Sequence, residues 1–136
     1  MMDDLYREQI IDLYSNPLNY GELDTPNWSY EEDNPLCGDV VRIDVKLDEN
    51  GRVTDVAWSG DGCAISQASA SLLTEEIKGM TLEEVRSFDK DELLELIGVQ
   101  LSMARVKCAL LSLKVLKAGA YGIPEPEEMR RHLDLD

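Results

Sequence analysis

The clearest periodicity in the chain lies between Val40 and Leu47. In VVRIDVKL, Val41, Ile43, Val45 and Leu47 alternate with Arg42, Asp44 and Lys46. Period two puts the apolar set on one face of an extended strand and the charged set on the other, so this stretch predicts a half-buried β-strand. An Asn50-Gly51 turn signal comes next, and RVTDVAWS returns as the second strand of a hairpin. Its phase is mixed. Val56 and Trp58 suggest one inward face, Val53 and Ala57 the other. A bulge accounts for this pattern, and so do two covered faces. Upstream, residues 17–36 hold Pro17, Gly21, Pro26 and Pro35 and read largely as loop. Within them NWSYEE alternates Trp28 and Tyr30 with polar residues and predicts a short edge strand.

Elsewhere the apolar positions follow helical spacing. Leu5–Ser15 carries Tyr6, Ile10, Leu13 and Tyr14, with Asp3 and Asp4 to cap its start and Asn16-Pro17 to end it. After Gly62 the chain reads as helices. Ala64–Lys78 has Ile65, Ala68, Leu72 and Ile77, closed by Gly79. Thr81–Phe88 opens with a capping box, Thr81 and Glu84. Asp89–Ile97 is short, with Leu93, Leu94 and Ile97 apolar. Ser102–Ala118 carries Val106, Leu110, Leu113 and Leu116 along one face, stopped by Gly119. The order, hairpin first and helices after, predicts an α+β fold: a small antiparallel sheet of about three strands covered on one face by helices, with a helical C-terminal half. The tail, with Pro124 and Pro126, reads as a loose helix.

Composition narrows the function classes. The chain has 136 residues, of which 43% are apolar, which suits one domain with a modest core. Asp and Glu number 28 against 13 Lys and Arg, a net charge of −15. A nucleic-acid partner is not expected, because phosphate backbones need clustered cations. No apolar run approaches the ~20 residues that span a bilayer, so no membrane partner is expected either. The acidic start MMDDLYREQ does not read as a signal peptide. A cytoplasmic location with reduced thiols is the expectation.

Three cysteines, Cys37, Cys63 and Cys108, cannot all pair with one another, and no C-x-x-C links them. Reduced thiols of this kind are either buried small hydrophobes or ligands. The only histidine is His132, in the charged tail, where it reads as a surface residue. A His-rich metal site is excluded, and a Cys/His nucleophile would have to recruit that tail. Ser66, Ser69 and Ser71 lack a base and a G-x-S-x-G elbow, so they read as small residues for helix packing.

Position favours ligands. Cys63 comes directly after Gly60-Asp61-Gly62 at a strand-to-helix junction, where unpaired N–H groups and the helix dipole favour a thiolate. The glycines leave room there for a ligand or partner. Cys37 sits in NPLCGD ahead of the first long strand, with Asp39 two residues on across a glycine. Cys108 lies in the first two turns of the last helix, beside Arg105 and Lys107, whose charges also favour thiolate. All three cysteines are at element ends. Three thiolates and one carboxylate are four donors, which fits tetrahedral zinc and equally a [2Fe–2S] cluster with one oxygen ligand. The carboxylate, harder than sulfur, would be the easiest ligand to exchange.

At these residues the sequence resembles a known family. NPLCGD, GDGCAISQASASLLTEEIKGMTLEEV and RVKCALLSLKVL, with LYREQIIDLYSNPLNYGEL ahead of them, resemble the IscU/SufU family, the NifU N-terminal-like scaffold proteins of iron–sulfur cluster assembly. The resemblance covers roughly residues 3–119, leaving 120–136 as a tail on a single domain, 1–136. It implies the family's α+β fold. It implies Cys37, Asp39, Cys63 and Cys108 as metal or cluster ligands, and Cys37 and Cys108 as the candidate acceptors of persulfide sulfur, with Lys107 supporting. The implied cofactors are a transient Fe–S cluster, [2Fe–2S] in type, and zinc. The implied partners are a pyridoxal-phosphate cysteine desulfurase and recipient apo iron–sulfur proteins.

The motifs mix two subfamilies. Lys107 stands where IscU-type members carry histidine. LSMAR, Leu101–Arg105, stands where they carry a Leu-Pro-Pro-Val-Lys chaperone-recognition segment, so nothing here supports a dedicated DnaK-type chaperone as partner. RVKCALL is closer to SufU-type members, yet the interval from Cys63 to Cys108 is of IscU-type length and lacks their insertion. Three readings fit: a non-enzymatic scaffold and sulfur acceptor that builds and passes on a cluster; a zinc-dependent sulfur-transfer protein that activates the desulfurase without building one; and an acidic interaction module with a structural zinc.

Overall fold

The computed structural model describes residues 2–34, 38–98 and 100–121, with the side chains of 2–6, 34 and 104 left out. Cys37, His132 and the tail beyond Tyr121 therefore lie outside the described residues. The element order is α1 (Met2–Ser15), β1 (Trp28–Asn34), β2 (Asp39–Leu47), β3 (Val53–Asp61), α2 (Ala64–Glu76), α3 (Leu82–Ser87), α4 (Lys90–Ile97) and α5 (Met103–Tyr121). The sheet is antiparallel in the order β1-β2-β3.

The strand alternation sets the inner face. Val41, Ile43 and Val45 of β2 are buried, and their partners across β3 are Gly60, Trp58 and Val56. The mixed phase of β3 has both of its candidate causes. The register slips between Lys46 and Leu47, so that Leu47 faces Val53 and Thr54 is passed over as a bulge. Val53 thereby joins Val56 and Trp58 inside, while Ala57, on the outer face, is also buried. Its neighbour across the ladder is Asp44.

That outer face is not simply solvated. The chain after α1 runs along the free edge of β3, where Trp58 N–H donates to Asn19 O at 2.9 Å and Gly21 N–H to Trp58 O at 2.8 Å. It then crosses the outer face, and Leu23 N–H donates to Asp44 Oδ2 at 3.1 Å. Asp44, on the side that alternation assigns to solvent, is buried, whereas Lys46 on the same side is exposed.

The helices cover the inner face: α5 packs on β1 and β2, α2 on β3, and α1 and α4 on α2. Helix α1 buries Ile10 and Leu13, but Tyr14, a predicted core position, is exposed. The helix begins at Met2, so Asp3 and Asp4 fall within its first turn rather than ahead of it. The capping box of α3 is present: Thr81 Oγ1 accepts from Glu84 N–H at 3.1 Å and Glu84 Oε1 accepts from Thr81 N–H at 3.2 Å. Asp89 caps α4 rather than belonging to it, and Gly98 ends α4 at φ 76°.

Helix α5 does not stop at Gly119; it runs to Tyr121. A Cβ on Gly119 would lie 2.5 Å from both Cδ1 and Nε1 of Trp28. The glycine permits close approach of β1, not helix termination. Nor does α5 have the single apolar stripe expected. Cys108, Ala109, Leu111, Ser112, Leu113, Val115, Leu116 and Ala120 are buried, and Val106 and Leu110 only half-buried. Strands and helices surround α5 on several sides, so its burial has no one-face period.

Candidate metal centre

An antiparallel hairpin brings the start of its first strand to the end of its second. Val40 at the start of β2 pairs with Asp61 at the end of β3. Asp39, which opens β2, is thus placed beside Gly62-Cys63, which leads out of β3 into α2. Gly60 makes this close packing feasible: its φ is 138°, and a Cβ there would overlap the Val40 carbonyl oxygen. Cys63 is the N-cap of α2, with extended φ −71° and ψ 169°, and its side chain caps nothing. Its N–H instead donates to Asp39 Oδ1 at 3.2 Å. A carboxylate from β2 therefore caps α2, where the helix dipole favours negative charge. Gln67 Nε2 donates to Gly62 O at 2.9 Å and holds the same turn from the helix side.

The second turn of α5 supplies Cys108, which is 3% exposed. One ligand atom from each of Asp39, Cys63 and Cys108 lies within 4.8 Å of the others, and Cys63 Sγ is 3.9 Å from Asp39 Oδ2. Neither Cys63 nor Cys108 is in a disulfide. Donors around one tetrahedral zinc lie roughly 3.6–3.8 Å apart, given Zn–S near 2.3 Å and Zn–O near 2.1 Å. The Sγ–Oδ2 separation is slightly longer than that spacing, and two sulfurs with one carboxylate suit zinc or thiolate-bound iron. The donor set fits a metal.

Of the four donors singled out in the sequence, Asp39, Cys63 and Cys108 come together here. Lys107 is exposed on α5, next in the chain to Cys108. Cys37 lies outside the described residues. The space beside Gly62, expected for a ligand or partner, is taken by the chain's own Asp39 carboxylate. Ser66, Ser69 and Ser71 are buried in α2, as small packing residues should be; Ser71 Oγ accepts from Leu18 N–H at 3.1 Å. The capping role of Asp39 was not visible in the sequence, because a contact between the start of β2 and the end of β3 leaves no local signal. The Gln67–Gly62 bond is local but follows no motif the sequence offered.

Comparison with known proteins agrees with this geometry. The sequence model of the NifU-like N-terminal domain matches residues 5–127. The chain is 39% identical over 135 residues to the zinc-dependent sulfurtransferase SufU of Bacillus subtilis, covering 87% of this chain and 90% of that one. It is 35% identical over 116 residues to the iron–sulfur cluster assembly scaffold protein IscU of Haemophilus influenzae, covering 83% and 90%. In three dimensions it superposes on the crystal structure of FiSufU from the thermophile Fervidobacterium islandicum AW-1 with a TM-score of 0.71 at 29% identity, over 83% of this chain and 94% of that one. With the three strands, helices α2 to α5 and the donor cluster all in the matched span, the chain belongs to the NifU-like N-terminal domain family.

Proposed function

We propose that this protein is an iron–sulfur cluster assembly scaffold. In this reading it accepts sulfur from a cysteine desulfurase, assembles a [2Fe–2S]-type cluster on Cys37, Asp39, Cys63 and Cys108, and passes it to recipient apoproteins. The observation that carries the reading is the convergence of Asp39, Cys63 and Cys108 within 4.8 Å, from three separate elements. The kinship with IscU supports it. Sulfur would arrive by thiolate attack on the outer sulfur of the desulfurase persulfide. A new S–S bond forms on the acceptor, the donor S–S bond breaks, and the desulfurase thiolate leaves, so no external oxidant is needed. Burial of Cys108 makes Cys37 the acceptor position to test first. The carboxylate is the donor most readily exchanged, which suits a site that must release its load.

Anaerobic reconstitution with iron, cysteine and a desulfurase should give a chromophore absorbing in the visible, and Cys63→Ser should lose it. If wild type and variant behave alike and neither binds metal, the reading fails.

A second reading is a zinc-dependent sulfur-transfer protein that activates the desulfurase and builds no cluster. It is favoured by the 39% identity to SufU, by Lys107 in place of histidine and by the proline-free LSMAR segment. The same donors would hold zinc, which would keep the thiols deprotonated. Desulfurase turnover that rises with zinc-loaded protein, without a visible chromophore, selects this reading over the first.

A further inference from the structure

We propose that Gly62 is a positioning residue for Asp39, and that the space it leaves fixes the carboxylate as a one-oxygen donor through Oδ2. The proposal rests on the cluster being a metal site. A Cβ built on Gly62 would lie 2.9 Å from Asp39 Oδ1, 3.0 Å from Asp39 Cγ and 3.0 Å from Ser66 Oγ. These separations are well inside the ~3.5–4.0 Å of ordinary packing contacts. The backbone does not demand glycine: Gly62 is not among the glycines with positive φ, unlike Gly60 two residues earlier. What position 62 requires is room.

The carboxylate fills that room in one orientation. Oδ1 accepts the Cys63 N–H, and Oδ2 is the oxygen 3.9 Å from Cys63 Sγ. One oxygen is committed to the helix cap, and the other lies toward the Cys63 thiol. A methyl group at position 62 would displace the carboxylate in preference to the backbone. The Gly62 carbonyl is held by Gln67 Nε2, and the Ser66 hydroxyl can turn to another rotamer. The fold survives such a change and the donor does not stay in place.

Cobalt(II) titration followed by its visible d–d bands tests this with wild type, Gly62→Ala, Asp39→Ala and the double variant. Gly62→Ala should keep the wild-type far-UV circular dichroism. It should bind cobalt about ten-fold or more weakly, the range seen when a residue supporting a ligand is altered. Its bands should move to those of Asp39→Ala, and the double variant should bind no more weakly than Asp39→Ala alone. Wild-type bands and affinity in Gly62→Ala, or losses that multiply in the double variant, would overturn the proposal. If Gly62→Ala does not fold, Gly62→Ala with Asp39→Gly should, because the obstructing side chain is gone; failure of that pair to fold also overturns it. A wild-type protein that binds no cobalt defeats the metal reading instead. The metal-free thermal midpoints of the same four proteins then still decide the Gly62–Asp39 coupling, which additive losses would refute.

Discussion

Asp44 is a carboxylate with a side chain only 1% exposed. Arg42 Nε donates to its Oδ1 at 3.0 Å, and Leu23 N–H donates to its Oδ2 at 3.1 Å. Burial alone pushes its pKa up. Hydrogen bonds from the Ser29 side chain, from Arg42 and from the Leu23 backbone together outweigh burial, and the carboxyl is held below the ordinary Asp value. The Arg42 guanidinium is raised in return, first by its hydrogen bond to Asp44. A lowered native pKa gives stability that is present above the unfolded value near 3.9 and lost as pH falls through the native one. Asp44→Asn should therefore lower stability at pH 7 by about 1–3 kcal/mol. It should also flatten the loss of thermal stability of the wild type below about pH 4. Thermal midpoints measured from pH 3 to pH 7 check both. The strand alternation places Asp44 on the outer face correctly. It could not show that residues 18–25 come back over that face, because a loop's path has no period. The same limit governs the candidate site. Cys63 and Cys108 are legible as thiols at helix starts, and Asp39 as a carboxylate two residues from Cys37. The Asp39–Cys63 N–H bond and the crowding at Gly62 depend on strand register, which single residues do not state.

Among the elements, α5 shows how a glycine can be misread. Gly119 looks like a stop because helices often end at glycine, and the stretch beyond it is polar and proline-bearing. Its context is instead the indole of Trp28, whose ring edge occupies the place of a side chain. Helix propensity and packing then make opposite predictions for Gly119→Ala. Propensity alone gives about 1 kcal/mol of stabilisation. Overpacking against a buried ring typically costs about 1–3 kcal/mol. Trp28 is 7% exposed, in the edge strand that α5 covers, and an indole cannot yield as a flexible chain end can. Packing wins, so the variant should unfold at lower urea concentration than wild type, with a similar slope. A midpoint shifted upward would show that Trp28 moves aside without cost. Elements specified by local chemistry were the most legible ones: the alternating β2, the Asn-Gly hairpin and the Thr81–Glu84 box all occur where the sequence puts them. The single stripe assigned to α5 was not, since contact from several sides removes the periodicity on which such an assignment depends.

For the whole molecule, the question is whether a metal is needed to hold the fold. The core runs from the inner sheet face, Val41, Ile43, Val45, Val56 and Trp58, to Leu73 and Ile77 in and after α2 and to Val115 and Leu116 in α5, all buried. Each of these side chains is worth about 1.5–3 kcal/mol when buried, and none depends on an ion. The donors sit at one end of this core, where β2 begins and where α2 and α5 start. When a metal is removed, the Asp39 carboxylate still accepts the Cys63 N–H, so the helix cap it provides is kept. Small metal-stabilised domains behave differently: they lack such a core and unfold when chelated. Chelation should thus leave the far-UV circular dichroism and a cooperative thermal transition intact. Adding zinc at about a hundred times its dissociation constant should then raise stability by about 2.7 kcal/mol, a midpoint shift of roughly 10 °C. Unfolding on chelation would make the metal a structural element and support the third reading, an acidic module with a structural zinc. Retention of the fold, with a midpoint that climbs with zinc concentration, is what a site built to take up and give away its load requires.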